Sequence, residues 1–213
     1  MLKRYKTVKG YGEFELIIQK SKFIAYVERT ETEEAAVEFI NKIKSVHRSA
    51  THNCSAYLIG EHDEIQKAND DGEPSGTAGV PMLEVLKKQG LKDTTVVVTR
   101  YFGGIKLGGG GLIRAYGKST SEGLKATGIV ERILHKEIII TIDYTLLGKI
   151  ENEVRNSPYP LLDISYTNHV QVIIHVPMDK VPKAIAWITE LSNGQAVIKE
   201  DITLYRELDF TEE

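Results

Sequence analysis

A glycine-rich segment in the middle of the chain has the residue types that bind an anion. Residues 99–114 hold six glycines within nine positions, between a buried strand and a predicted helix. Backbone N–H groups converge at such a crossing, and two nearby cations would neutralise a phosphate. The predicted phosphate- or nucleic-acid-binding residues are Arg100, Gly103, Gly104, Lys106, Gly108, Gly109, Arg114 and Lys118. The alternative is that the glycines only permit a tight crossing from strand to helix.

Cations and aromatic residues recur beside this segment. Arg114, Lys118 and Lys125 follow each other at spacings of four and seven residues on one helix face, with Phe102 and Tyr116 nearby. Such a basic track beside aromatic rings suits a nucleic-acid backbone with stacked bases. The alternative is an ordinary solvated helix face, and the pI of about 6.1 argues against strong non-specific binding.

Neither of two nucleotide-binding motifs is present in the glycine segment. No G-x-G-x-x-G register exists, because Arg114 stands where the third glycine belongs. A P-loop needs four residues between its glycines, whereas five separate Gly111 from Gly117. The sequence therefore supports neither a nucleotide-hydrolysing enzyme nor a dinucleotide-dependent one, and we expect no cofactor.

An acidic loop over residues 69–79 is the second candidate for chemistry. Its three acids within four residues would hold Mg²⁺ or supply a general acid and base, and its serine would be a nucleophile. The catalytic candidates are Asp70, Asp71, Glu73 and Ser75. The alternative is structural, because Asp-Gly and Pro-Ser-Gly are turn signals and Thr77 or Gly79 would cap the next helix. No residue is assigned as catalytic on this basis.

Four further residues have the side chains of zinc ligands. They are His47, His52, Cys54 and His62. The spacing H-x₄-H-x-C from His47 to Cys54 matches no standard zinc pattern, so a buried cysteine and hydrogen-bonded histidines explain these residues better. We predict no metal site.

The hydrophobic pattern predicts the elements that position these residues. In the first part of the chain it predicts strands over 14–18, 22–27 and 53–59 and a buried central strand over 95–99. Helices are expected from a Thr30–Glu33 capping box, over 80–88, and over 112–126. The last of these has a face of small residues that lies close on a sheet: Ala115, Ser119, Gly123 and Ala126.

The second part of the chain has a simpler pattern. Isoleucines alternate over 138–142, a helical pattern follows to residue 157, and strands are predicted over 161–166, 169–176 and 197–204. Asp179 is expected to cap the helix that precedes the last strand. The order βαββαβ predicts a ferredoxin-like domain, a fold that hosts many functions.

Charge and glycine content divide the chain near Leu134. Residues 1–134 hold 20 basic and 17 acidic residues, a balance of +3, whereas residues 135–213 hold 7 and 13, a balance of −6. Eleven of the 18 glycines lie between Gly72 and Gly117. We therefore predict an α+β protein with domains over 1–134 and 135–213.

A single cysteine, no secretory signal and no long apolar run predict a cytoplasmic protein with no membrane partner.

Three segments resemble a known family. The stretches ATHNCSAY (50–57), DDGEPSGTAGVPMLEVL (70–86) and VVVTRYFGGIKLGGGGLIRAY (96–116) look like the signature of the IMPACT family. The resemblance implies a first domain similar to the second domain of a small-subunit ribosomal protein and to domain IV of elongation factor G. It implies a second domain similar to domain V of that factor. Eukaryotic members act in translational control with an additional N-terminal domain, for which we expect no counterpart here because the first predicted strand begins near residue 13.

These observations favour a translation-associated regulatory protein that binds RNA or the ribosome through the basic glycine-rich loop. Two alternatives stay open. One is a hydrolase that uses the acidic loop, and the other is a protein–protein adaptor whose partner binds the acidic C-terminal domain.

Overall fold

The computed structural model describes residues 1–210 and shows a mixed α+β protein, as predicted. The chain divides into two compact units. The N-terminal unit is Tyr5–Glu131 with residues 208–210, and the C-terminal unit is Met1–Arg4 with Arg132–Glu207. The domain boundary at Leu134 stays a prediction.

The N-terminal unit is built around a five-stranded antiparallel sheet with the order β2-β3-β6-β4-β5. Its elements in chain order are β1 (Arg4–Val8), β2 (Gly12–Ile18), β3 (Ser21–Arg29), α1 (Glu33–Val46), β4 (His52–Ile59), β5 (Ile65–Asn69), α2 (Gly79–Lys88), β6 (Thr94–Tyr101) and α3 (Gly108–Thr127). The run of valines from residue 96 forms the central strand, as predicted. Strands β1 and β5 were not predicted. Strand β5 is short, largely exposed and without an alternating pattern.

Both faces of this sheet are covered by helices. Val96 and Val98 of β6 pack with Met82 of α2 and Leu124 of α3, while Val97 packs on the other face against α1. Because successive side chains of a strand point to opposite faces, β6 is buried on both sides. The α2–α3 face contains the candidate site.

Two predictions about helix boundaries in this unit were wrong. Helix α1 is capped by Thr32, whose hydroxyl accepts from Ala35 N, because Thr30 instead bonds the Thr95 hydroxyl at 2.6 Å. Helix α3 begins at Gly108, four residues earlier than predicted.

The small-residue face of α3 is present over most of its length. Gly123 lies so close to β3 that an added Cβ would stand 2.8 Å from the Ala25 Cβ. Ala115 and Ser119 are buried on the same face, whereas Ala126 is exposed near the end of the helix.

The C-terminal unit has the predicted βαββαβ order. Its elements are β7 (Ile129–Ile142), α4 (Tyr144–Arg155), β8 (Leu161–Tyr166), β9 (Val170–Pro177), α5 (Val181–Leu191) and β10 (Val197–Asp209). Within this unit the sheet has the order β7-β9-β8, and β10 also pairs with β7. Asp179 does not cap α5, because it lies in a short 3₁₀ turn and α5 begins without a side-chain cap.

Candidate functional site

Three side chains form a row across neighbouring strands on the α2–α3 face of the sheet. Arg100 of β6 is directly opposite Phe23 of β3 on one side and His52 of β4 on the other. The Arg100 guanidinium carbon lies 5.5 Å from the ring centroids of both Phe23 and Phe102, within the range of cation–π attraction. The sheet register therefore places Arg100 opposite Phe23, and its guanidinium lies close to two aromatic rings.

A carboxylate from the acidic loop neutralises this arginine. Glu73 Oε1 accepts a hydrogen bond from Arg100 Nη1 at 2.5 Å and another from the Tyr116 hydroxyl of α3 at 2.8 Å. The Glu73 and Arg100 side chains are only 3% and 6% exposed. A buried charge of either sign needs such a partner, so the pair joins the loop, the sheet and α3. Arg100 Nε is buried and has no hydrogen-bond partner within residues 1–210.

A tight turn aims Glu73 at Arg100. The Glu73 N–H donates to Asp70 O at 2.9 Å, and the two residues between them, Asp71 and Gly72, both have positive φ, at 45° and 88°. Such a turn suits Asp-Gly, because aspartate tolerates and glycine readily adopts this conformation. The predicted turn is thus also what positions the one loop carboxylate that enters the site.

His52 completes the row and has a defined tautomer. Its Nδ1 lies 2.9 Å from Asp71 O. Because a carbonyl oxygen only accepts, Nδ1 carries the hydrogen and Nε2 of the neutral ring keeps a lone pair. Nε2 lies 3.7 Å from Glu73 Oε2.

These groups border a cavity of about 410 Å³, which we call the site cavity. It is lined by Thr51, His52, Glu73, Pro74, Arg100, Phe102, Lys106, Leu107, Gly108, Gly109 and Leu112. The acidic loop and the glycine segment therefore meet at one place.

Gly108–Gly111 form the first turn of α3, whose N-cap Leu107 provides no side-chain acceptor for that turn. The first amides of a helix lack partners within the helix, so Gly108 and Gly109 bring hydrogen-bond donors to the cavity.

The predicted anion-binding residues separate into two groups. Arg100, Lys106, Gly108 and Gly109 belong to the lining of the site cavity. The other four residues, all within the described chain, lie outside that lining: Gly103, Gly104, Arg114 and Lys118. The Gly103 amide donates to Ser21 Oγ at 3.2 Å, so its role here is contact with the β2–β3 turn.

The expected basic track differs from the prediction in its aromatic part. Tyr116 is fully buried and bonds Glu73, because it lies on the sheet-facing side of α3. It is therefore unable to stack on a base. Phe102 is 47% exposed and supplies the accessible ring instead. Lys125 pairs with Glu122 on the outer face of α3.

The two aspartates of the acidic loop make structural contacts. Asp70 accepts backbone hydrogen bonds from Gly76, Ala78 and Gly79 at 2.8–3.0 Å, so it caps the start of α2 in place of the predicted Thr77 or Gly79. Asp71 pairs with Lys44 Nζ at 2.6 Å and accepts from Asn53 N at 2.7 Å. Ser75 is exposed. Of the four catalytic candidates, Glu73 alone belongs to the lining of the site cavity.

Removing the charge of Asp70 tests its role as a cap. Partial burial alone would raise the pKa of Asp70, but the backbone hydrogen bonds from Gly76, Gly79 and Ala78 lower it below its usual value. A carboxyl group with a lowered pKa stabilises the fold above its unfolded pKa of about 3.9 and loses this contribution as pH falls through the folded value. We expect Asp70→Asn to lower the free energy of unfolding at pH 7 by about 1–2 kcal/mol, because hydrogen bonds to a charged acceptor at a helix N-terminus are stronger than those to a neutral amide.

Urea denaturation at pH 7, 5 and 3 measures this effect. The difference between wild type and Asp70→Asn is expected to be similar at pH 7 and 5 and smaller at pH 3. Glu84→Gln, on the exposed face of the same helix, is the matched control and should change stability by less than about 0.5 kcal/mol. An equal loss at pH 7 and pH 3 would show that the charge of Asp70 does not stabilise α2.

The residues considered as zinc ligands also have structural partners. Cys54 Sγ donates to Asp70 O at 3.0 Å, and burial raises the pKa of this thiol to about 12, so it is a poor nucleophile. His47 lies on the other face of the sheet between the hydroxyls of Tyr26 and Tyr101, at 2.6 and 2.9 Å, and burial lowers its pKa. Across residues 1–210, no three His, Cys, Asp or Glu side chains are arranged to hold a metal ion.

The sequence does not predict how Tyr116, His52 and Glu73 come together. It places Tyr116 beside a basic track, makes His52 a weak zinc candidate and makes Glu73 a catalytic candidate without indicating its pairing with Arg100. Their contacts depend on the register of β4 with β6 and on the rotation of α3, for which the sequence has no local signal.

None of the helices within residues 1–210 is long and apolar enough to span a bilayer.

Two protein-family models match this chain. The Impact N-terminal domain matches residues 19–124, and a domain of unknown function, DUF1949, matches residues 140–195. A solved structure described as "Crystal structure of an hypothetical protein" matches with a TM-score of 0.60 and 29% identity, over 100% of both chains.

Curated bacterial relatives match over most of their length. IMPACT family member YvyE of Bacillus subtilis is 60% identical, covering 97% of this chain and 95% of that protein. IMPACT family member YigZ of Escherichia coli is 35% identical, with 83% and 88% covered. The Protein IMPACT homolog of Dictyostelium discoideum is 41% identical over 95 residues, which are 43% of this chain and 27% of that protein.

Proposed function

The chain belongs to the IMPACT family, and from this premise we propose that it is a translation-associated regulatory protein that binds RNA or the ribosome through the site cavity. The part of the proposal that concerns translation rests on the resemblance, which implies translational control in eukaryotic members. The relation to domains IV and V of elongation factor G and a location in the cytoplasm belong to the same proposal. The part that concerns RNA rests on the residues of the cavity.

One observation supports RNA binding above all others. The start of α3, the Lys106 side chain and the half-exposed Phe102 ring border the same cavity. Helix N-termini bind phosphate because their free N–H groups and the positive end of the helix dipole face it. Since Arg100 and Glu73 neutralise each other, the remaining charge at the cavity is that of Lys106 and the helix end. A phosphodiester group is a suitable ligand for that combination.

Phe102 provides the second contact that a nucleotide needs. Phe102 is 47% exposed, and its ring lies beside the Arg100 guanidinium. Stacking of a base on an aromatic side chain contributes about 1–3 kcal/mol and depends little on sequence. We therefore assign phosphate contact to Lys106 with Gly108 and Gly109, and base stacking to Phe102.

Binding of a single-stranded RNA oligonucleotide, followed by fluorescence anisotropy, tests this function, with ribosome co-sedimentation as the second measurement. We expect Phe102→Ala to weaken RNA binding by about 5- to 100-fold. Lys106→Ala should weaken RNA binding. It should also reduce by about one the slope of the logarithm of the binding constant against the logarithm of the salt concentration.

Lys42→Ala is the matched control for these variants. Lys42 is exposed on α1, which covers the other face of the sheet, and its substitution should leave RNA binding unchanged. Unchanged RNA binding in both Phe102→Ala and Lys106→Ala would refute the proposed site. Absence of RNA and ribosome binding by the wild type at low salt would refute the function.

The two alternative functions have less support. A hydrolase that uses the acidic loop draws no support from Asp70 and Asp71, because both carboxylates are occupied by contacts within the fold. An adaptor that binds a protein partner through the acidic C-terminal domain stays a prediction.

A further inference from the structure

Two hydrogen-bond acceptors face each other at the wall of the site cavity. Glu73 Oε1 already accepts from Arg100 and Tyr116, which leaves Oε2 directed at His52 Nε2 at a distance of 3.7 Å. Because His52 Nδ1–H donates to Asp71 O, Nε2 of the neutral ring is an acceptor as well. A single donor placed beside both atoms in the cavity would therefore bond either of them.

The cavity is therefore divided by hydrogen-bond polarity. His52 and Glu73 form an acceptor side, whereas Lys106 and the amides of Gly108 and Gly109 form a donor side. A phosphate has only acceptor oxygens at neutral pH when it is a diester, so the acceptor side repels it and the donor side attracts it. The group that fits the acceptor side is a hydroxyl close to that phosphate.

We infer that this cavity recognises a ribose 2′-hydroxyl next to the bound phosphate, with His52 and Glu73 as the residues that make the protein prefer RNA to DNA. The inference rests on the proposed function and names its specificity. The 2′-hydroxyl is the group by which a protein distinguishes the two nucleic acids at a given site. It donates to His52 Nε2 or Glu73 Oε2 while the adjacent phosphate contacts the start of α3.

The test compares ligands first, so that it does not depend on a variant. Wild-type protein is titrated with one sequence as RNA, as DNA and as 2′-O-methyl RNA, which keeps the sugar oxygen but has no hydroxyl donor. We expect RNA to bind at least about tenfold more tightly than the other two, the value of one hydrogen bond to a charged or buried acceptor. His52→Phe should weaken RNA binding more than DNA binding, so that the ratio of RNA affinity to DNA affinity falls.

Two mononucleotides distinguish an RNA strand from a free nucleotide as the ligand. Adenosine 3′-monophosphate carries a hydroxyl beside its phosphate, and the 2′-deoxy nucleotide does not. If the ribonucleotide alone binds as tightly as the RNA, recognition of the hydroxyl stands and the ligand is a free nucleotide.

Each remaining outcome overturns a defined part of the proposal. Equal binding of RNA, DNA and 2′-O-methyl RNA would refute the inference while RNA binding itself stands. If no oligonucleotide or mononucleotide binds, the proposed function fails and this inference with it. A doubly protonated His52 ring at pH 8, observed by ¹⁵N NMR, would also refute the inference, because the histidine's own proton would then satisfy Glu73.

Discussion

Replacing Glu73 with alanine is expected to lower the free energy of unfolding by about 3–5 kcal/mol, because the change leaves Arg100 charged, buried and without its partner. The Tyr116 hydroxyl, fully buried in α3, loses its acceptor at the same time. A loss of this size is a large fraction of the stability of an ordinary domain. Urea denaturation followed by circular dichroism measures it.

A second variant isolates the role of the unpaired charge. Glu73→Gln keeps an acceptor for Tyr116 but removes the negative charge, and the double variant Glu73→Gln/Arg100→Met also removes the positive charge. We expect the double variant to be more stable than Glu73→Gln, since replacing a whole buried ion pair is often nearly neutral. Glu122→Ala removes the exposed pair with Lys125 and should cost less than about 0.5 kcal/mol. Equal stability of Glu73→Gln and the double variant would contradict this account.

Gly103→Ala is expected to disturb both the fold and the site. An alanine Cβ at this position would lie 2.0 Å from Lys20 O and 2.5 Å from Ser21 N, and these backbone atoms belong to the tight turn between β2 and β3. The segment that carries Phe102 and Lys106 therefore has to move. Overpacking of this kind costs about 1–3 kcal/mol, and the moved segment loses its position beside the first turn of α3.

Two measurements on the same sample check this prediction. We expect a lower urea midpoint and at least about tenfold weaker RNA binding at a temperature where the variant is fully folded. Gly10→Ala is the control, because its Cβ would have no heavy atom within 4 Å. Wild-type RNA binding by folded Gly103→Ala would show that this contact does not position Phe102 and Lys106.

The fold was more predictable than the site because its signals are local. Alternating isoleucines and helical spacing predicted the whole βαββαβ order of the C-terminal unit, and a run of valines predicted the central strand β6. Predictions based on capping were less successful. Thr30 and Thr32 are both suitable caps for α1, and only the packing of Thr30 on Thr95 decides between them. Asp70 caps α2 from nine residues upstream of Gly79, which no local motif indicates.

The site depends on contacts between residues that are distant in sequence. Arg100 and Lys106 were predicted as cations of one segment, yet the structure makes Arg100 the partner of Glu73, 27 residues away. A sequence does not reveal that β4 lies opposite β6 with His52 beside Arg100. A shift of one residue in that register would turn His52 to the other face of the sheet and remove it from the cavity.

The glycines at the start of α3 make ligand binding and helix formation parts of one equilibrium. Gly109–Gly111 make this first turn less stable than alanines would, because glycine loses more conformational entropy on becoming helical, whereas Gly108 has a φ of 69° that alanine rarely adopts. Packing secures α3 from Leu112 onward, so its first turn is the segment with least to hold it. A ligand that bonds the amides of this turn selects its helical form, and the observed affinity is reduced by whatever fraction of the protein has the turn open. The strength of binding at this site is therefore set by the entropy of three glycines as well as by charge.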